Sequence, residues 1–191
     1  MRKLVLSMVQ SVDGYINGPG GEPLVPEWSG DLDQWTFGMI ERFDTLLYGR
    51  HAWQEMAAFW PAAEADPDTP DAQRTLAKFM NGSRKIVFSR TLKHADEWQN
   101  SEIATSDLAT TVGEERRKPG QDMVIFAGAT FAQEAMRAGE IDELWLLTVP
   151  IVLGHGRRLF DGSPLRWTLR LNEVRQMNTG AIFACYERKD R

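Results

Sequence analysis

Continuous apolar runs alternate with stretches of helical periodicity along most of the chain. Runs of this kind are typical of strands that are buried on both faces. None approaches the roughly 20 apolar residues of a membrane span. The runs predict strands at residues 4–9, 45–48, 85–89, 123–126 and 144–149, with a weaker candidate at 101–105.

Helical spacing fills the intervals between these runs. Asp31 and Gln34 form a capping-box pair, and the apolar residues that follow predict an amphipathic helix over residues 31–43. Further helical segments are predicted at 53–57, 70–82, 107–118 and 131–139. Residues 61–71 hold three prolines and four acids, so we expect a solvated surface loop there.

The C-terminal part changes to a period of two. Apolar and polar residues alternate over 165–171, which predicts a half-exposed strand. A turn at 178–180 leads into a last strand at 181–187, which completes a hairpin. The whole pattern predicts a single α/β domain over residues 1–191, with a mainly parallel central sheet, flanking helices and an antiparallel hairpin at one edge.

Composition narrows the function classes. The 191 residues are 42% hydrophobic and 26% charged, as in ordinary globular proteins, and the net charge of −5 disfavours nucleic-acid binding. Cys185 is the single cysteine, which excludes an intramolecular disulfide and a cysteine-based zinc site. The three histidines lie far apart in sequence, so we expect no metal. We expect a cytoplasmic protein without a membrane partner.

Candidate chemistry collects where the predicted strands end. In parallel sheets, ligands bind at the carboxyl ends of strands, beside the free N–H groups of helix N-termini. Asp13-Gly14, Gly49-Arg50, residues 89–91 and residues 127–130 occupy such positions, and the last three combine small or hydroxyl residues with cations or close-packed backbone. Together these features suggest a nucleotide bound across several strand ends. Walker A, Gly-x-Gly-x-x-Gly and Gly-x-Ser-x-Gly motifs are absent from the sequence.

Five short motifs also follow one another in a recognisable order. They are residues 5–16 (VLSMVQSVDGYI), 46–50 (LLYGR), 87–91 (VFSRT), 125–130 (IFAGAT) and 148–156 (TVPIVLGHG). In this order and spacing they resemble the reductase domain of bifunctional riboflavin-biosynthesis proteins, within the dihydrofolate-reductase-like superfamily. The resemblance covers roughly residues 2–188. The zinc deaminase motifs usually fused to that domain are absent from this sequence.

The resemblance implies NADPH as the cofactor and hydride transfer to a small heterocyclic or carbonyl substrate, as in 5-amino-6-(5-phosphoribosylamino)uracil reductase. The segment at 49–50 would open a helix under the pyrophosphate, and the segment at 89–91 would flank the adenosine ribose and its 2′-phosphate. The segment at 127–130 would lie against the pyrophosphate and the nicotinamide ribose. The implied cofactor-binding residues are Gly49 and Arg50, then Ser89, Arg90 and Thr91, then Ala127, Gly128, Ala129 and Thr130. Ala127 departs from the family, which usually has glycine there.

The catalytic and substrate-binding residues are predicted with alternatives. By resemblance Asp13 is the best catalytic candidate, to orient substrate or carry protons; the alternative is an Asx-type turn beside Gly14. Trp53, Gly154 and Arg157 are predicted to bind substrate, with the alternatives that Trp53 is a core residue and Arg157 is surface charge. On the first helix, Asp31 is expected to cap and Asp33 to complement the helix dipole.

Two function classes follow from this reasoning. The first is an NADPH-dependent reductase that acts on a small molecule, and the second is a non-catalytic nucleotide-binding or assembly protein that retains the fold. We also expect a homodimer, because the strand at 165–171 with Trp167 and the terminal hairpin lie, by resemblance, near the subunit contact. An uncovered apolar edge would otherwise favour aggregation.

Overall fold

The computed structural model describes residues 1–162 and 165–189. The strands are β1 (Leu4–Ser11), β2 (Tyr15–Asn17), β3 (Phe43–Gly49), β4 (Arg84–Phe88), β5 (Ser101–Ile103), β6 (Asp122–Ile125), β7 (Glu143–Val149), β8 (Arg157–Arg158), β9 (Leu169–Gln176) and β10 (Ile182–Arg188). The helices are α1 (Gly30–Ile40), α2 (Arg50–Ala65), α3 (Asp71–Gly82), α4 (Leu108–Glu115) and α5 (Ala129–Arg137).

Eight of these strands form one sheet in the order β5-β4-β3-β6-β1-β7-β10-β9. The pairs from β5 to β7 are parallel, whereas β10 runs antiparallel to both β7 and β9. This confirms the predicted α/β fold with an antiparallel hairpin at one edge. A small separate sheet pairs β2 with β8.

The central strands are buried on both faces. On β1, Leu4, Leu6 and Met8 enter one apolar core, while Val5 and Val9 pack on the other. Helices α1, α2 and α3 cover the second core and α4 and α5 cover the first. This double coverage explains why the strands are continuously apolar in sequence.

The loop predicted at residues 61–71 is wrong over its first five residues. Helix α2 continues through Pro61 to Ala65. Its last turns pack against α3, where Ala63 is buried and Asn81 Nδ2 donates hydrogen bonds to Trp60 O and Glu64 Oε2. These tertiary contacts stabilise a helix that proline alone would have ended.

Two other local predictions are also corrected. The strand predicted from residue 165 begins only at Leu169. Before it, Thr168 O accepts a hydrogen bond from Lys189 N, and the Trp167 ring centre lies 4.5 Å from the Arg188 guanidinium. Helix α1 begins at Gly30, and Asp31 does not cap it. The N-cap residue is Ser29, and the Asp31 carboxylate accepts hydrogen bonds from Ser29 Oγ, from Leu32 N in the first turn and from Asn178 N in the β9–β10 turn.

Candidate functional site

A cleft of about 980 Å³ opens beyond the carboxyl ends of β1, β3, β4 and β6. Predicted residues from four parts of the sequence that are distant along the chain meet in its lining. The predicted residues that line it are Gly49, Arg50, Ser89, Arg90, Thr91, Ala127, Gly128, Ala129, Thr130 and Arg157. A smaller pocket of about 280 Å³, between α5 and residues 159–162 with Leu165, contains none of the predicted site residues.

Two helix N-termini face this cleft, those of α2 and α5. Gly49 and Gly128 hold the N-cap positions, and neither helix has a side-chain cap. Gly128 has φ +92°, and a Cβ there would lie 3.0 Å from the Ala52 Cβ. A Cβ on Gly49 would lie 3.1 Å from the Phe131 Cβ. Glycine therefore lets the loops pack closely and leaves the first N–H groups of both helices open to an anion.

Cations accompany these helix ends. Arg50 starts α2, with its Nη2 3.0 Å from Nε2 of His51, and both side chains line the cleft. Arg90 follows β4 and is exposed. Ser89 has a partly structural role, because its Oγ accepts hydrogen bonds from the backbone N–H groups of Thr91 and Leu92. The resulting arrangement combines helix dipoles and guanidinium groups, which suits phosphate.

The structure does not support the predicted role of Asp13 as a proton carrier. Its side chain is not part of the cleft lining. Both carboxylate oxygens accept hydrogen bonds, Oδ1 from Ser11 Oγ (2.7 Å) and Leu153 N (3.1 Å), and Oδ2 from Gly154 N (2.7 Å). These bonds, that from Ser11 above all, lower the pKa of Asp13 to about 2, so the group stays ionised near neutral pH. The turn-residue alternative describes it better.

The predicted role of Trp53 in substrate binding is also corrected, because the structure places this residue in the core. Its side chain is 1% exposed, it does not line the cleft, and its Nε1–H donates to Ser101 Oγ. Gly154 lies next to the cleft lining and donates its N–H to Asp13, whereas Arg157 does line the cleft. Asp33 sits in the first turn of α1, outside the cleft.

Sequence reasoning missed two groups of lining residues. The titratable ones are His51, Glu55 and Glu134, and the apolar ones include Val9, Leu24, Met56 and Phe126. The four apolar residues are only partly buried and pack on the core beneath α1, α2 and α3. Phe126 directly follows β6, whereas Val9 lies inside β1 and Met56 is the seventh residue of α2. Strand and helical periodicity assigned such residues to the core.

Among the residues that the structure describes, no helix is both long and apolar enough to cross a membrane.

Comparison with known proteins identifies the fold and then the family. Over 99% of both chains, the structure matches a putative riboflavin biosynthesis protein from Shewanella sp. PV-4 with a TM-score of 0.75 at 21% identity. It also matches dihydrofolate reductase from Enterococcus faecalis complexed with NADP(H) and RAB-propyl, with a TM-score of 0.62 at 16% identity, over 98% of this chain and 97% of that one. The chain thus has the dihydrofolate-reductase-like fold.

Sequence comparison narrows this to one family. The family described as the RibD C-terminal domain matches residues 2–183. The uncharacterized protein YyaP of Bacillus subtilis (strain 168) is 30% identical over 187 residues, which cover 97% of this chain and 94% of YyaP. The chain belongs to the RibD C-terminal domain family, as its five motifs predicted.

Proposed function

We propose that this protein is an NADPH-dependent reductase of a small molecule. The observation that carries the proposal is the meeting of two open helix N-termini with Arg50 and Arg90 in one cleft. NADPH carries a pyrophosphate and a 2′-phosphate, so it needs several separated anion-binding groups. The fold shared with a dihydrofolate reductase complexed with NADP(H) supports the same cofactor.

The residues present fit such a dinucleotide. Gly49 and Gly128 allow the backbone to approach the pyrophosphate, and Arg90 with the Ser89 and Thr91 segment would hold the adenosine ribose and 2′-phosphate. When bound, NADPH supplies a hydride, and the protein contributes orientation and electrostatics.

The substrate is proposed to be a small heterocyclic or carbonyl compound. The lining outside the cofactor segments contains Val9, Leu24, Met56 and Phe126, which offer an apolar surface to a planar ring. Arg157 is exposed in the same cleft and would pair with an anionic group of the substrate.

The test is NADPH binding followed by turnover. We expect the fluorescence of NADPH to change on mixing with the protein, and its absorbance to fall when a suitable acceptor is added. The acceptors are a panel of pterins, pyrimidine ribosylamines and dicarbonyls. Binding with no turnover across the panel would favour the non-catalytic alternative. The contacts of Asp13 with the backbone N–H groups of Leu153 and Gly154 are consistent with that alternative, because they occupy the best catalytic candidate. Failure to bind NADPH would contradict both the cofactor and the reductase proposal.

We also propose a homodimer that forms through the apolar face of the terminal hairpin. Leu171, Val174 and Ile182 are 51%, 58% and 48% exposed. In the sheet register Val174 lies opposite Ala184 and Leu171 opposite Tyr186, so these side chains form one uncovered face. Apolar area of this kind is typical of an interface between protomers.

The dimer prediction is tested by a substitution that introduces one charged side chain into this apolar face. Light scattering should give the wild type twice the monomer mass of 21.7 kDa, and Val174→Glu should give the monomer mass. Arg175→Gln, the adjacent exposed residue of β9, is the control and should remain dimeric. A wild type that is monomeric at micromolar concentration, or an intact Val174→Glu dimer, would refute the assignment.

The single-domain and cytoplasmic assignments remain proposals. They rest on an uninterrupted pattern of strands and helices and on Cys185, which is buried and unpaired.

A further inference from the structure

The strands β2 and β8 bring residues 15–18 and 155–157 to the edge of the cleft. Asn17, Gly18, His155, Gly156 and Arg157 all line it. The two stretches pack closely: a Cβ on Gly156 would lie 2.1 Å from the Asn17 carbonyl oxygen. They belong to the small separate sheet and not to the eight-stranded one. The position of these lining residues therefore depends on the contacts between the small sheet and the main fold.

Asp13 provides a charged connection, beside the hydrogen bonds that Gln133 Nε2 on α5 donates to the carbonyl oxygens of Arg158 and Leu159. It follows the end of β1, and its two carboxylate oxygens accept the N–H groups of Leu153 and Gly154, just before His155. Ser11 fixes the carboxylate in turn, since its Oγ donates to Asp13 and accepts the backbone N–H of Tyr15. Asp13 thus joins the end of the main sheet to the segment before His155, and Ser11 joins it to Tyr15.

We propose that Asp13 is a positioning residue, which holds residues 153–157 so that His155 and Arg157 face a ligand in the cleft. The inference deepens the proposed function and, for the effect on NADPH, rests on it. Charge-assisted hydrogen bonds to backbone N–H groups are about twice as strong as neutral ones, and ordering the segment beforehand reduces the entropy lost on binding.

Asp13→Asn is the sharpest variant, because an asparagine oxygen can replace only one of the two acceptors. The amides of Leu153 and Gly154 should exchange with solvent about tenfold faster than in the wild type, as followed by NMR. The dissociation constant for NADPH should rise by about tenfold. Asp13→Ala should raise both the exchange rate and the dissociation constant more than Asp13→Asn does. Asp68→Asn, a change of the same type at an exposed aspartate, is the control and should alter neither.

Thermal unfolding separates positioning from general stability. A merely structural role would lower the melting temperature of Asp13→Asn and leave NADPH affinity of the folded protein unchanged, which would overturn the inference. Unchanged exchange at Leu153 and Gly154 would overturn it as well. The exchange comparison needs no cofactor, so it decides whether Asp13 holds the segment even if the wild type fails to bind NADPH and the proposed function falls.

Discussion

Replacing Arg90 with alanine is expected to weaken NADPH binding about 10- to 100-fold and to leave NADH binding nearly unchanged. The two cofactors differ only by the 2′-phosphate, so a residue that reads this group changes the affinity for one of them. Arg90 follows β4, is exposed, and lines the cleft with Ser89 and Thr91. A guanidinium can bind phosphate through two parallel hydrogen bonds.

The comparison is made by calorimetric titration of the wild type and the variant with each cofactor. Lys93→Ala is the matched control, because it removes a positive charge from the same exposed segment at a position outside the cleft lining. It should change NADPH affinity only slightly, through long-range attraction that salt screens. Arg90→Lys should lie between the wild type and alanine, since an ammonium lacks the bidentate geometry.

If the wild type shows no preference for NADPH over NADH, or if Arg90→Ala keeps the wild-type affinity for NADPH, the assignment of Arg90 to the 2′-phosphate is wrong. In that case Arg50, beside His51 at the start of α2, is the next candidate among the guanidinium groups that line the cleft. Repeating the titration with Arg50→Ala would then show whether the anion site lies at that helix end instead.

The sheet and the cofactor side of the cleft could be predicted because their signals are local. Apolar runs specify the central strands, and a glycine followed by arginine at a strand end is visible within two residues, as at Gly49-Arg50. Parallel topology then places such strand ends along one edge of the sheet. The structure agrees, because residues that follow β3, β4 and β6 line the same cleft.

The rest could not be predicted because it depends on contacts between distant residues. Asp13 meets Gly154 across 141 positions, so the sequence could not distinguish a catalytic carboxylate from one that binds backbone N–H groups. Trp53 lies one turn into α2, where periodicity indicates an apolar face but not which side of that face meets the cleft. The packing of α2 against α3, which stabilises the helix through Pro61, is likewise a contact between segments that the local sequence does not show.

The burial of Lys85 in the core also could not be predicted from the sequence, because lysine is almost never fully buried without a partner charge. Its side chain is 0% exposed at the start of β4. The Nζ donates to the carbonyl oxygens of Asn81 (2.7 Å) and Gln99 (3.0 Å) and lies 4.4 Å from the centre of the Trp98 ring. In the described part of the chain, no carboxylate forms an ion pair with it.

Burial without a counter-charge should make stability depend on pH. Desolvation lowers the pKa of Lys85 to about 7, from an ordinary value of 10.5. Between these two values the unfolded chain binds a proton that the folded protein does not. The free energy of unfolding should therefore rise with pH across this window, by at most about 1.4 kcal/mol per pH unit, and this contribution should be flat below pH 7.

Lys85→Met, which keeps the length of the side chain and removes the titrating group, is expected to abolish that contribution. Urea unfolding at several pH values from 6 to 10, followed by tryptophan fluorescence, gives the slope for each protein. Other groups that titrate in this range, such as tyrosines, are common to both and cancel in the difference between wild type and variant. Lys78→Met, at an exposed lysine of α3, is the control and should retain the wild-type slope. Parallel pH profiles for the wild type and Lys85→Met would mean that the two carbonyl oxygens and the Trp98 ring keep Lys85 protonated in the folded state, and that its burial does not shift its proton binding.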